Sequence, residues 1–187
     1  MTTATELGVQ NWIAGTWKID PLHSHVGFII RHMVVSKVRG NFTEFDATIV
    51  TAENPLESTV EATITAASIN TGNEMRDGHV ASADFFDAEN HPQFTFKSTG
   101  IRVENDEWLV DGDLTIRGVT KPVTLGMETP AFGVPGEDGA VKAGFSASTE
   151  INRNDFGVSY NGPIPGGGTV LGDKVEIVLE IEADLQQ

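Results

Sequence analysis

Apolar and polar side chains alternate along most of the chain with a period of two, as they do in a strand that has one buried face. Between residues 24 and 32 the apolar set is Val26, Phe28 and Ile30, and the run ends before a break at residues 39–41. Similar runs occupy residues 17–19, 45–49, 58–69, 92–98, 108–116, 121–127, 141–151 and 175–181. The pattern predicts eight or nine antiparallel strands in a barrel or a sandwich.

The alternation stops between Thr71 and Asp87. Here Met75, His79, Ala83 and Phe86 follow one another at the spacing of a helical stripe. Because glycine lowers helix propensity, the Gly at position 78 indicates that packing must hold this helix. We therefore expect one short helical insertion at about residues 72–87.

Periodicity alone does not distinguish a closed barrel from two packed sheets. The apolar faces mix large and small residues, such as Gly27 beside Phe28, and this favours a barrel. An eight-stranded barrel has room either for its own side chains or for one small ligand, and close packing is the commoner outcome. No repeat or linker divides the 187 residues, so we expect one domain over residues 1–187, with residues 1–12 as a loosely ordered extension.

Charge and composition narrow the classes of partner. The chain has 12 Lys+Arg and 27 Asp+Glu, a net charge of −15, which argues against nucleic acid because phosphate backbones would be repelled. The absence of cysteine excludes disulfides and thiolate metal ligands. No apolar run approaches the roughly 18 residues of a transmembrane span. The start lacks signal-peptide features, so we expect a cytoplasmic protein, or a periplasmic or secreted one if a leader has been removed.

Catalytic and metal motifs are weak. His23 and His25 are two residues apart and could share a metal with His79, His91 or an acidic residue, but no second spaced pair supports this, and we expect no metal. The Gly-x-Ser-x-Gly motif of the hydrolases is absent, and the PGGG segment at 165–168 lacks the ending of a phosphate-binding loop. We therefore expect no catalytic residues.

Six motifs occur in order over nearly the whole chain. They are Trp17-x-Ile19-Asp20-x-x-His23-Ser24-x-Val26-x-Phe28, Arg76-Asp77-x-His79-Val80-x-Ser82-x-Asp84-Phe85-Phe86-Asp87, Pro92-x-Phe94-x-Phe96-x-Ser98, Gly112-Asp113-Leu114-Thr115-Ile116-x-Gly118-Val119-Thr120-Lys121-Pro122-Val123, Ile151-Asn152-Arg153-x-Asp155-Phe156-Gly157 and Gly172-Asp173-x-Val175. Together they resemble the YceI family of lipocalin-like, polyisoprenoid-binding proteins. Many members of that family carry a signal peptide, which this sequence does not show.

The resemblance implies an eight-stranded antiparallel, lipocalin-like β-barrel with a helical segment packed against it and an apolar tunnel for an isoprenoid chain. The residues that would line the tunnel are Phe28, Phe94, Phe96, Trp108 and Leu114. The polar groups that would lie near a head group, or hold the helix, are His23, Ser24, Arg76 and Asp77. The family resemblance establishes no catalysis and implies no cofactor other than a bound isoprenoid lipid or quinone, and it allows a homodimer.

These observations favour a non-catalytic carrier of an isoprenoid or similar long-chain amphiphile, such as a quinone or a prenyl phosphate. An enzyme acting on such a ligand is the first alternative, and it requires His23, His25 and Arg76 to converge at the tunnel mouth. A stress-related protein with a filled barrel and no ligand is the second.

Overall fold

Antiparallel strand pairing organises the computed structural model, which describes residues 2–186. The strands are β1 Gly15–Ile19, β2 His25–His32, β3 Ser36–Phe42, β4 Phe45–Thr51, β5 Thr59–Thr65, β6 Ile69–Asn70, β7 Gln93–Glu104, β8 Glu107–Ile116, β9 Val119–Met127, β10 Ala131–Phe132, β11 Lys142–Asn152 and β12 Leu171–Leu185. One α-helix, α1, is Glu74–Ala81, and short 3₁₀ turns cover Pro55–Glu57, Ala66–Ser68 and Arg153–Phe156.

Eight of these strands form a closed ring. The order around it is β11, β9, β8, β7, β5, β4, β1 and β12, and β12 pairs back with β11. This closure confirms the eight-stranded antiparallel barrel that the resemblance implies. The ring closes because β12 is long. One edge of β12 pairs with β11, and its other edge pairs first with β2 and then with β1. The β2–β3 hairpin therefore extends from the ring, and β6 pairs with β3.

Strand β3 was not predicted, because Arg39-Gly40-Asn41 looks like a break in the sequence. The structure gives Gly40 a packing role instead: it lies opposite Phe28 in the β2–β3 pairing. A Cβ atom at Gly40 would come within 2.5 Å of the Phe28 ring and 2.9 Å of the Thr71 methyl group. Glycine is thus needed here for the close approach of an aromatic ring, and it does not end the strand.

We expect Gly40→Ala to be about 1–3 kcal/mol less stable than Gly144→Ala, because the new methyl group overlaps the Phe28 ring. Gly144 is the matched control, since it also lies within a strand and a Cβ there would meet nothing within 4 Å. Both changes alter the unfolded chain alike, so the difference isolates the contact. Urea unfolding measures it, and equal stabilities would show that Gly40 is not held by this contact.

Helix α1 is shorter than the predicted segment 72–87. Asn73 caps its start by accepting a hydrogen bond from the Arg76 backbone N–H at 3.0 Å. Ser82 ends it, because both its backbone N–H and its hydroxyl donate to the His79 carbonyl. The remaining residues form turns that place Phe85 and Phe86 against the barrel. No helix within residues 2–186 is long and apolar enough to cross a membrane.

Two apolar clusters fill different parts of the interior. One surrounds Phe94, Phe96 and Phe156, and the other contains Trp17 and Trp108 together with residues of β10 and β11. The amino-terminal segment belongs to the second cluster: Val9 is 3% exposed, and Ala4, Leu7 and Trp12 pack against the same cluster. The expected loose extension at residues 1–12 is therefore wrong for the described part, because its apolar side chains are buried against the barrel; residue 1 lies outside the described range.

Candidate functional site

A cavity of about 330 Å³ lies inside the barrel. Its wall is formed by inward-facing residues of the strands, by α1 and the turn that follows it, and by the segment after β11. The aromatic lining residues are Phe28, Phe42, Phe45, Phe85, Phe86, Phe94, Phe96 and Phe156. Small lining residues, Ala47 and Ala62, leave the space that these rings do not fill. The volume falls within the range of small-molecule sites, and the wall is almost wholly apolar.

Four of the five residues predicted to line a tunnel, Phe28, Phe94, Phe96 and Leu114, line this cavity. Trp108 does not. It lies on the inner face of β8, but at the end of the barrel that the second cluster fills, where it is 2% exposed. The placement of Trp108 in the lining is therefore corrected: it is part of the packing that closes one end of the barrel.

Arg76 is the cation at the rim, since it both lines the cavity and is exposed to solvent. Its Nε donates to the Thr71 hydroxyl at 2.7 Å, and its Nη2 donates to the Thr71 carbonyl at 2.9 Å. Asp77 accepts from the Thr71 backbone N–H at 2.9 Å and from its hydroxyl at 2.5 Å. Asp77 thus holds Thr71, and Thr71 holds the guanidinium of Arg76. The structure brings these two predicted polar residues together at the cavity.

Arg153 is a second cation in the wall, and its role at the cavity was not predicted. It is buried; its Nη1 donates to the carbonyls of Val158 and Tyr160, and its Nε donates to Gly172. Its Nη2 has no hydrogen-bond acceptor within residues 2–186, and the Asp173 carboxylate lies 3.9 Å away. Burial lowers the pKa of this guanidinium. The only sequence signal was its place in the motif Ile151-Asn152-Arg153.

His23 and Ser24 lie outside the cavity wall. The Ser24 hydroxyl donates to the Glu182 carbonyl at 3.2 Å and accepts from the Glu182 backbone N–H at 3.0 Å, so it ties the start of β2 to β12. His23 Nδ1 lies 2.7 Å from Asp20 Oδ2. This hydrogen bond lowers the pKa of Asp20 to about 2 and raises the pKa of His23. His23 therefore belongs to a surface cluster with Asp20, whereas Ser24 joins two strands, and neither residue lines the cavity.

The same surface cluster bears on the metal hypothesis. Asp20, His23 and Glu182 offer atoms close enough together to hold an ion. Lys142, however, lies 2.8 Å from Glu182 Oε1 and 3.5 Å from Asp20 Oδ2, so an ammonium group already compensates part of the negative charge of these carboxylates. Hydrogen bonds to the carboxylates of Asp184 and Glu182 raise the pKa of Lys142. His25 is not part of the group; its ring lies over Gly27. The structure thus gives the two histidines different partners.

Ionisable groups in the cavity wall are His32, Asp46, Arg76 and Arg153. No two of these side chains are hydrogen-bonded to each other in the described part of the chain. Asp46 lies 3.4 Å from Lys18 at the surface. The wall therefore brings together no paired acid and base, and the convergence of His23, His25 and Arg76 that an enzyme would require is not observed.

Comparison with known proteins places this barrel among relatives of similar architecture. The chain is 37% identical over 181 residues to protein YceI of Escherichia coli O157:H7, covering 94% of this chain and 90% of the relative. BcnA of Burkholderia cenocepacia has a similar crystal structure, with a TM-score of 0.73, 26% identity, and coverage of 88% of this chain and 98% of BcnA.

A polyisoprenoid binding domain from Saccharophagus degradans has the same fold, with a TM-score of 0.65 and 14% identity, covering 91% of this chain and 98% of that domain. The YceI-like domain family matches residues 17–183, a range that contains the whole barrel ring except the start of β1 and the end of β12. With this match and the Escherichia coli relative, the chain belongs to the YceI-like domain family.

Proposed function

We propose that this protein is a non-catalytic carrier that holds the chain of an isoprenoid, or of a similar long-chain amphiphile, in its barrel cavity. The observation that carries the proposal is the apolar cavity of about 330 Å³ inside a closed barrel. A filled interior would have favoured a protein without a ligand. An apolar enclosure of this size instead suits a flexible hydrocarbon chain, for which wall contacts need no particular direction.

Burial of such a chain is energetically sufficient for stable binding. One isoprene unit has five carbons, so at ~0.8 kcal/mol per buried CH₂ its transfer from water contributes up to about 4 kcal/mol. Three buried units would contribute roughly 12 kcal/mol before ordering costs are subtracted, which corresponds to nanomolar affinity. We expect the protein to distinguish weakly between amphiphiles whose chains have similar length.

The two guanidinium groups in the wall indicate the nature of the head group. Arg76 stands at the rim and is fixed by Thr71, while Arg153 presents a buried Nη2 without a hydrogen-bond acceptor in residues 2–186. A phosphate or a quinone carbonyl accepts hydrogen bonds from guanidinium donors, and a phosphate also compensates the charge of Arg76. These groups therefore favour prenyl phosphates and quinones over cationic amphiphiles.

Two further observations support a carrier. The Saccharophagus degradans domain is described as polyisoprenoid binding, and its fold is shared by this chain. The ionisable groups of the wall do not form an acid–base pair within the described residues, and this favours binding without turnover.

Native mass spectrometry tests the proposal. The purified chain is first freed of bound lipid by solvent extraction, and it is then incubated with a prenyl phosphate or a ubiquinone. We expect one adduct per chain, and the same spectra report whether the chain is the homodimer that the resemblance allows. Arg76→Gln is expected to weaken prenyl phosphate binding by about tenfold, because a hydrogen bond to a charged group is lost. Lys121→Gln is the control, since Lys121 is exposed and does not line the cavity. A bare chain mass with every amphiphile would overturn the proposal.

A further inference from the structure

The tip of the β2–β3 hairpin exposes apolar side chains. Its turn consists of Met33, Val34 and Val35, and the two valines are 70% and 84% exposed. Met33 and Val34 have φ angles of +49° and +66°, a left-handed conformation that is unfavourable for a β-branched residue. Asn and Gly are the usual residues in such hairpin turns, and both are polar or small. The tip therefore retains aliphatic side chains where local backbone preference and solvent both disfavour them.

The hairpin is also basic in a strongly acidic protein. None of the 27 Asp and Glu residues lies between Asp20 and Glu44, whereas three of the 12 Lys and Arg residues, Arg31, Lys37 and Arg39, do. All three are exposed, and none makes an ion pair or a side-chain hydrogen bond within residues 2–186. Six of the other nine cations pair with a carboxylate; these are Lys18, Lys97, Arg102, Lys142, Arg153 and Lys174.

The pairing register places two of these cations directly opposite each other. Arg31 faces Lys37 across the strands, and Ile29 faces Arg39 on the same outer surface. Like charges opposite each other destabilise a strand pair. Features that break local rules in this way tend to occur where the protein uses them, and an external anionic partner would remove the repulsion.

The inner face of the same hairpin borders the cavity. Ile30 and Val38 face each other on this side, and both line the cavity together with His32. Leu171, which pairs with His32, is also a lining residue. The surface that carries the unpaired cations and the surface that contacts the ligand space are thus the two faces of one hairpin.

We propose that the β2–β3 hairpin docks the protein onto an anionic lipid bilayer. Met33, Val34 and Val35 enter the boundary between head groups and acyl chains, while Arg31, Lys37 and Arg39 contact lipid phosphates. The net charge of −15 does not prevent this, because charges beyond about 10 Å are largely screened at ordinary salt concentrations and the hairpin carries no carboxylate. Docking brings the hairpin, and with it one part of the cavity wall, to the membrane. The inference that docking serves lipid exchange rests on the proposed function.

The shape of the tip favours a bilayer over a protein partner. Three aliphatic side chains on a projecting turn form a small apolar surface, whereas a stable protein interface needs about 800 Å² on each partner. An apolar tip surrounded by cations is the composition of an interfacial membrane anchor. Charge complementarity then selects anionic over zwitterionic lipids.

Vesicle flotation tests the docking with the full chain. We expect binding to vesicles of phosphatidylcholine with phosphatidylglycerol, little binding to phosphatidylcholine alone, and weaker binding as salt rises. Replacing Arg31, Lys37 and Arg39 by Gln is expected to weaken binding by about a hundredfold. Val34→Asn with Val35→Ser is expected to weaken it at least tenfold. Asn tolerates the left-handed conformation, so this second variant is expected to fold.

Matched controls change the same chemistry elsewhere. One control replaces Lys97, Lys121 and Lys174 by Gln, which alters the net charge as much as the hairpin variant does. The other control, Leu22→Ser with Val134→Ser, removes two exposed apolar side chains outside the tip. The proposal is overturned if anionic vesicles do not bind, if hairpin and control variants bind alike, or if the tip captures only another protein. Native mass spectrometry of the hairpin variants separates the two proposals. A hairpin variant that retains its lipid adduct but loses vesicle binding supports docking. An unaltered chain that binds vesicles but shows no adduct contradicts only the carrier function.

Discussion

Ala62→Phe is expected to reduce the occupancy of an isoprenoid ligand at least tenfold while the barrel remains folded. Ala62 lies in β5 between Ala47 and Phe96 in the strand pairing, and it lines the cavity. A phenyl ring at this position would occupy space that the ligand needs. Excluding one isoprene unit removes up to about 4 kcal/mol of apolar burial, so the loss of affinity is large.

The control for this change is Thr63→Phe, which adds the same ring at the next residue. Thr63 points to the outer surface of β5 and is exposed, so we expect no loss of binding. Titration with a prenyl phosphate, followed by native mass spectrometry, measures occupancy in both variants. If Ala62→Phe binds as well as the unaltered chain, the ligand does not lie in the barrel cavity.

Trp17→Ala is expected to lower the free energy of unfolding by about 3–5 kcal/mol, the largest loss that we anticipate for a single substitution. Trp17 is 0% exposed, and its Nε1 donates to the Thr51 hydroxyl at 2.8 Å. Its ring also packs edge-on against Phe132, with centroids 5.4 Å apart. Truncation would leave a void in the filled end of the barrel and remove a buried hydrogen bond.

Phe28→Ala provides the comparison, because Phe28 is only half-buried and already borders the cavity. We expect this variant to lose about 2 kcal/mol or less, since part of the ring has no neighbouring atoms to lose. Urea unfolding must use lipid-free protein, because a ligand bound to the folded state raises its apparent stability. Equal losses for the two variants would contradict the division of the barrel into a filled end and an open end.

The strands were largely predictable because a half-buried strand leaves a period-two pattern in the sequence. The runs at residues 108–116 and 141–151 correspond closely to β8 Glu107–Ile116 and β11 Lys142–Asn152. β3 was missed because Gly40 was interpreted as a break, whereas its small size accommodates the Phe28 ring from the paired strand. Such a cross-strand contact leaves no signal in the local sequence.

The cavity was only partly predictable for a related reason. The resemblance identified Phe28, Phe94, Phe96 and Leu114, and the structure places all four in the wall. Whether they bind a ligand stays a prediction. Trp108 shares the inner face of β8 with Leu114, so no periodicity could separate the two positions. Leu114 lines the cavity and Trp108 does not, because the two side chains lie at different ends of the barrel.

The sequence by itself determined the alternation of faces, the single helical insertion, the excess of negative charge and the motifs of the YceI-like family. The tertiary structure decided which part of the interior is filled and which remains open. The amino-terminal segment and β10 pack around Trp17 and Trp108 at one end, while Ala47 and Ala62 leave space elsewhere. The physical reason is that burial along a strand is a local property, whereas the volume inside a barrel depends on side chains that long-range strand pairing brings together.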